Sequence, residues 1–263
     1  MASTHDFSTE LYINSALELT DFRNSLSDWT TKFRIPVRLD QNQEYAISVL
    51  SAAVSNTFPQ FHETELKFKM NAIEVTVDDN VVHTNTTALC NYLTNLCSGE
   101  GLMVSFALDS ATQRIRITNN EAVDVTLDLS EQYLPFWRKI GFNYDYQRAL
   151  SGVTLTPSDD VLLQYICRLV PSERVFVTCD SIKNNSYYPT DDNKPILCQI
   201  DLTGNFGTYS FNERPYAYEH DLSYRGTFST ISFSLLDDQF RPLKMRGGNC
   251  NLSLVVKKVN YND

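Results

Sequence analysis

Between residues 32 and 39 the chain alternates: Phe33, Ile35, Val37 and Leu39 are interleaved with Lys32, Arg34, Pro36 and Arg38. A repeat of two sends successive side chains to opposite faces of an extended backbone, so this segment is a strand with one buried face and cannot be an amphipathic helix. Pro36 has no N–H to give a ladder, which assigns the strand to a sheet edge or the proline to a bulge. The polar stretch 40–44 then turns the chain into a second apolar run, 45–54, which ends near Asn56 and Pro59. The two segments read as core strands joined by a tight connection.

The same signature recurs. Short segments bounded by Asp, Asn, Gly or Pro lie at 66–70, 72–77, 103–108, 114–118, 123–129, 175–179, 196–202, 230–236 and 252–259. They draw on Val, Ile, Thr and an excess of aromatics, 14 Tyr and 15 Phe, the residue types that suit a pleated, half-buried surface. One segment breaks the rhythm. Leu89, Tyr92, Leu93, Leu96 and Cys97 recur at helical spacing, with Thr86 or Thr87 to cap the helix and Ser98 and Gly99 to stop it. A second, shorter helix runs from Ser130 to Ile140, with Pro135 expected to shorten or kink it and Gly141 placed as a left-handed terminator. The middle of the chain therefore reads β, α, β, β, β, α, and strands resume around Val153. Many antiparallel strands with irregular connections close their edges most simply as two packed sheets, a jelly roll.

Charge and motifs exclude several functions. With 22 Lys and Arg against 32 Asp and Glu, the formal charge is -10, which repels a phosphate backbone; direct nucleic-acid binding is not expected. No window approaches the roughly 18 apolar residues of a membrane span, and Asp6 and Glu10 stand where a secretion signal would be basic and apolar, so a soluble, unprocessed chain is expected. Cys90, Cys97, Cys167, Cys179, Cys198 and Cys250 lack CxxC spacing and read as reduced, buried thiols. Asn85, Asn184 and Asn251 open sequons, a pattern too short to imply glycosylation by itself.

The sequence holds no GxSxG, P-loop, GxGxxG or HExxH, and its four His, at 5, 62, 83 and 220, are far apart. A thiol pair of Cys167, Cys179 or Cys198 with His220, and a zinc set of His83, Cys90 and Cys97, are the arrangements a fold could assemble. Buried cysteine is the commoner state of such residues, so neither catalysis nor a metal or other cofactor is expected. The pairs Asp78 and Asp79, Asp159 and Asp160, Asp191 and Asp192, and Asp237 and Asp238 lack the spacing of a calcium loop and read as turn chemistry. Arg241, Lys244, Arg246, Lys257 and Lys258 form an opposite, basic stretch, read either as a face toward an acidic partner or as solvated strand residues.

The order of these segments resembles that of the penton, or minor capsid, proteins of Polinton-type elements, adintoviruses, virophages and polinton-like viruses. The resemblance is carried by 33–39 followed by 44–56 and Phe58-Pro59, the helix at 87–97, and 125–142. It continues through VFVTCDSI at 175–182, similar to an aromatic-rich YVYCDI-type strand, and PILCQI at 195–200. It ends with Pro215 and Tyr216, the strand 228–236, Asp237, Asp238 and Gln239, Pro242 and Leu243, Gly247 and Gly248, and a last strand at 251–258. Gln239 stands where the family's turn has Gly, Pro135 interrupts the helix before Gly141 and Phe142, and the chain closes on VVKKV rather than an HFR-type ending.

The resemblance implies a structural virion protein, not an enzyme. Its fold would be mainly β, a single jelly-roll β-sandwich (32–61 and 146–263) with an inserted small α+β module (62–145), exposed at the vertex or packed on a neighbour. It would form homopentamers at the fivefold vertices of an icosahedral capsid, among trimers of a double jelly-roll major capsid protein, after synthesis in the host cell. Residues 1–31, with Leu17, Leu19, Phe22, Leu26 and Trp29 among polar residues, read as an arm that orders on a neighbouring capsomer. Charge segregation nominates Arg241, Lys244 and Arg246 on one side, and Asp191 and Asp192 or Asp159 and Asp160 on the other, for the subunit contact. A non-viral β-sandwich binding module, lectin-like or cytokine-like, is the alternative; its mark would be ligand stacking on Tyr187, Tyr188, Tyr216 or Tyr218.

Overall fold

The computed structural model describes residues 8–20, 24–142, 152–169, 172–183, 195–202, 206–212 and 219–259. Its elements run in the order β1 (Ser8–Asn14), β2 (Asp28–Arg38), β3 (Tyr45–Ser55), β4 (Lys67–Met70), β5 (Ile73–Thr76), α1 (Thr86–Gly99), β6 (Val104–Asp109), β7 (Arg114–Asn119) and β8 (Val125–Leu127). There follow α2 (Leu134–Ile140), β9 (Val153–Leu155), β10 (Asp160–Ile166), β11 (Arg174–Cys179), β12 (Ile196–Asp201), β13 (Tyr209–Asn212), β14 (Glu219–Asp221), β15 (Thr227–Leu236) and β16 (Cys250–Lys258). They fall into two units, Met1–Phe58 with Ser172–Asp263, and Pro59–Pro171.

The first unit is a β-sandwich. One sheet has the order β1-β16-β3-β13, with β14 also on β3, and the other β2-β15-β11-β12; neighbouring strands are antiparallel. Along the chain, β1, β3, β13 and β16 belong to the first sheet and β2, β11, β12 and β15 to the second, which is the eight-stranded jelly-roll wiring. The inward faces of the strands make one core: Leu11, Ile13, Ile47, Val54, Leu252 and Leu254 of one sheet meet Trp29, Val177, Leu197, Ile231 and Phe233 of the other. Trp29 stacks on Phe233 with ring centroids 5.5 Å apart.

The expectation of an external arm is corrected here: β1 pairs with β16 over seven registered positions, and Trp29 is buried in β2. The segments around 33–39 and 45–54 are core strands with a short connection, as read from the sequence; β2 and β3 lie in different sheets, so that connection crosses the sandwich. The last two strands also lie in different sheets.

The second unit spans 59–171 rather than 62–145, because β9 pairs with β8 and β10 with β7 and both carry their strands into it. It has a sheet β5-β4-β8-β9, a sheet β10-β7-β6, and its own core around Phe68, Leu89, Leu93, Ile115, Ile117, Phe136 and Trp137. Helix α1 buries Leu89, Cys90, Leu93 and Cys97 and packs on β6; its cap is Asn85, whose side chain accepts from Ala88 N, and not Thr86 or Thr87. Pro135 starts α2 instead of breaking it, since the N–H it lacks is unused in a helix's first turn. Gly141 ends α2 with φ +114°, as its position in the sequence implies.

Candidate functional site

Of the residues nominated for a subunit contact, Asp191 and Asp192 lie outside the described residues, as do Tyr187, Tyr188, Tyr216 and Tyr218. The Arg241 guanidinium is committed within its own turn, where Nε donates to Asp237 Oδ2 at 2.6 Å. Lys244 is exposed, and Arg246 is half-buried with its backbone N–H on Thr57 O at 3.0 Å. The other three acidic pairs supply turn chemistry. Asp78 Oδ1 accepts from Asn80 N, Asp159 Oδ1 from Asp160 N, and Asp237 Oδ1 from both Gln239 N and Arg241 N. Asp160 instead joins Asp109 in clamping the Arg116 guanidinium across the face of β10, β7 and β6, and Asp109 is held down at about 2 by the hydrogen bonds of Thr112 and by Arg116.

The thiols and imidazoles considered for catalysis or zinc are packed as core. Burial pushes Cys90 up to about 11 and Cys97, Cys167, Cys179 and Cys198 up to about 12, and raises Cys250 well above its usual value. Such thiols are protonated near neutral pH and supply no thiolate nucleophile or ligand. His220 gives its Nε2 to the Leu197 carbonyl at 2.8 Å, and the ring of His83 lies against Tyr92 at 4.8 Å; burial lowers the basicity of both. Among the described residues no three His, Cys, Asp or Glu are grouped to hold a metal ion.

These thiols carry a pH dependence. In the unfolded chain they ionise near about pH 8.5, whereas in the folded chain they stay protonated to about 11 or 12. Their contribution is therefore complete below about pH 8.5 and is lost as pH rises toward 12, because only the unfolded state releases those protons. The urea midpoint is expected to fall steadily above about pH 9, and less steeply in a Cys198→Ala, Cys250→Ala variant. A thiol reagent at pH 8 is expected to label none of the six until denaturant is added.

Two flanks of the sandwich expose apolar side chains beside charged ones. On β2, Lys32 faces Thr230 and Val37 faces Phe228, so residues 33–36 stand opposite the single Ser229. This is an enlarged edge bulge. Phe33 packs inward, its ring edge-on to Phe228 at 6.0 Å, while Arg34, Ile35 and Pro36 project, with Ile35 84% exposed. Lys32 and Arg38 flank them, and among the described residues none of the three cations has a carboxylate partner. The period-two reading buried Ile35; the bulge turns it out.

On the other flank, β3 is bordered by β13 at Ala52–Ser55 and by β14 at Ala46–Ser48. Phe211 is 64% and Tyr209 45% exposed, their rings 6.2 Å apart, and Phe206 precedes them. Glu219 and Asp221 of β14 and Asp201 of β12 bring carboxylates to the same flank. β12 packs on β13 at the end of its sheet away from β2, so the bulge and the aromatic edge face opposite ways. Neither surface was singled out from sequence, where an exposed strand aromatic looks like a buried one.

No family model and no curated protein matches the sequence. Among solved structures, the chain is similar to the mavirus penton protein, with 13% identity and a TM-score of 0.52 over 97% of this chain and 100% of that one. A chain of the Sputnik virophage cryo-EM structure aligns at 10% identity and a TM-score of 0.44, over 95% of this chain and 97% of that one. The strand order, the inserted unit and the first of these likenesses agree: over nearly its whole length the chain has the fold of the mavirus penton protein.

Proposed function

We propose that the chain is a penton, or minor capsid, protein, a structural subunit of a virion that forms homopentamers and closes the fivefold vertices of an icosahedral capsid. The observation that supports this reading most is a fold shared end to end with a penton protein, in a chain whose segment order independently resembles that family. On this reading its partners are four further copies of itself and the double jelly-roll major capsid protein. Neither nucleic acid nor catalysis has a part.

A five-membered ring needs a heterologous contact, one patch against a different patch on the next copy, with a rotation that closes. Lys244 and Arg246, with Asp191 and Asp192, remain candidates for the contact between copies, while Arg241 is held by Asp237; charge reversal at Arg246 that leaves assembly intact removes it from that set. Light scattering on a sizing column, at two protein concentrations and two salt levels, tests the function. A closed assembly of five copies is expected. A stable dimer or trimer, or a monomer throughout, overturns the reading.

A further inference from the structure

We infer that the β2 bulge of one copy docks on the β13 and β14 flank of the next, Ile35 against Phe211 and Tyr209, and Lys32, Arg34 and Arg38 facing Glu219, Asp221 and Asp201. This rests on the self-assembly proposed above and names its contact surfaces.

The bulge is built to present a side chain. Phe33 and Val37 fasten its two ends into the sandwich core, so the projecting residues between them are anchored rather than loose. Pro36 fixes one backbone angle at the tip and so lowers the ordering cost of a contact. Lysine and proline on an edge strand also discourage unwanted sheet pairing. Edge protection alone, however, gives no reason for an isoleucine left 84% exposed between three cations.

The opposite flank matches it in both chemistries. Phe211 and Tyr209 form an apolar surface for the isoleucine, and an arginine beside such rings gains further attraction from their faces. The three carboxylates are held only by weak or local contacts. Asp221 meets Lys183 and Asp201 meets Arg174 only at 3.7 Å, with all four side chains well exposed, and such surface pairs are weak and readily exchanged. Glu219 Oε1 accepts from Ser48 Oγ at 3.3 Å and Asp201 Oδ1 from the neighbouring Gln199 Nε2 at 2.6 Å, and both carboxylates keep lone pairs for a cation. Because the two surfaces lie on opposite flanks, the contact is head to tail rather than a twofold dimer, and it makes a ring where the rotation from copy to copy closes. A nucleic-acid reading of the cations is disfavoured by the charge of -10 and by the apolar residue at the centre of the group.

Two variants test it in the full chain, Ile35→Glu and the double change Arg34→Glu, Arg38→Glu. All these side chains are exposed in the single copy, so circular dichroism and melting temperature are expected to match wild type. Light scattering across a concentration series is expected to show association weakened on the order of 30-fold or more by Ile35→Glu, as for a central interface anchor. Mixing the arginine double variant with a Glu219→Arg, Asp221→Arg chain is expected to restore association that neither shows alone, as mixed species in which the two chains alternate and not as closed rings of five, since an odd ring cannot alternate them.

Assemblies of wild-type mass in both bulge variants overturn this contact and leave the penton reading standing. A wild-type chain that is monomeric at every concentration overturns both. Binding of a single-stranded DNA oligonucleotide that is lost in the arginine variant, while assembly persists, reassigns the cations to a polyanion and also overturns the contact.

Discussion

Replacing Gly141 by alanine is expected to destabilise the 59–171 unit by about 2 to 5 kcal/mol, a large fraction of a domain's typical stability. Two costs combine. Gly141 has φ +114°, and it closes α2 in a Schellman arrangement, with Phe142 N on Trp137 O and Gly141 N on Arg138 O. A side chain in that left-handed region costs about 1 to 2 kcal/mol. An added Cβ would also collide with the main chain of Tyr165, whose N–H bonds to Gly141 O at 2.9 Å. Neither partner is the flexible end of a side chain, so α2 and β10 must part, and overpacking of that kind costs about 1 to 3 kcal/mol or more. Gly99, in the last turn of α1 with nothing within 4 Å of its Cβ position, is the control: Gly99→Ala is expected to stabilise by up to about 1 kcal/mol. Urea titration followed by tryptophan fluorescence reads both, since Trp137 is buried in the core of this unit. An unchanged midpoint for Gly141→Ala would show that α2 and β10 are not packed as described.

How far the sequence could anticipate this arrangement depended on whether a strand's neighbours leave a local mark. β3, β11, β15 and β16 were legible because their inward side chains are nearly all apolar. The start of β2 was missed although Trp29 and Thr31 share the inward parity of Phe33 and Val37, since a buried threonine interrupts the apolar series. β1 carries Leu11, Tyr12 and Ile13 in a row, which hides the repeat of two that places only Leu11 and Ile13 inside. In β10, VLLQYI buries Leu163 alone, so its place is set by pairing with β7, some 45 residues earlier in the chain, and no local pattern assigns it to the inserted unit. The projection of Ile35 is likewise a property of two strands. Only the register with Phe228 and Thr230 shows that β2 has more chain than its neighbour can pair. The subunit surfaces were the least legible, because period and hydropathy report what a strand could bury and not what the fold leaves uncovered.

The turn after β15 carries the second large effect. Its left-handed residue is Phe240, at φ +60°. That strain is offset on two sides. The Phe240 ring stacks on Phe176 at 5.0 Å, beside Ile196 and Leu236, and the buried Asp237 carboxylate gathers Gln239 N, Arg241 N and Arg241 Nε. Asp237→Ala removes all three acceptor contacts at once. The guanidinium is partly exposed and recovers water, which holds the expected loss to about 3 kcal/mol, the low end for breaking a buried charged pair. Asp237→Asn keeps the shape and one acceptor and is expected to cost about 1 to 2 kcal/mol, while Asp238→Ala, at an exposed neighbour, stays within about 0.5 kcal/mol. The loss has a location as well as a size. Leu243 N bonds to Leu235 O at 3.0 Å only while the turn is folded back, so hydrogen exchange at Leu243 is expected to quicken in Asp237→Ala before exchange in β16 does. Equal exchange at both sites would mean that the turn and the sandwich open together, and that the carboxylate stabilises the whole sheet rather than this one reversal of the chain.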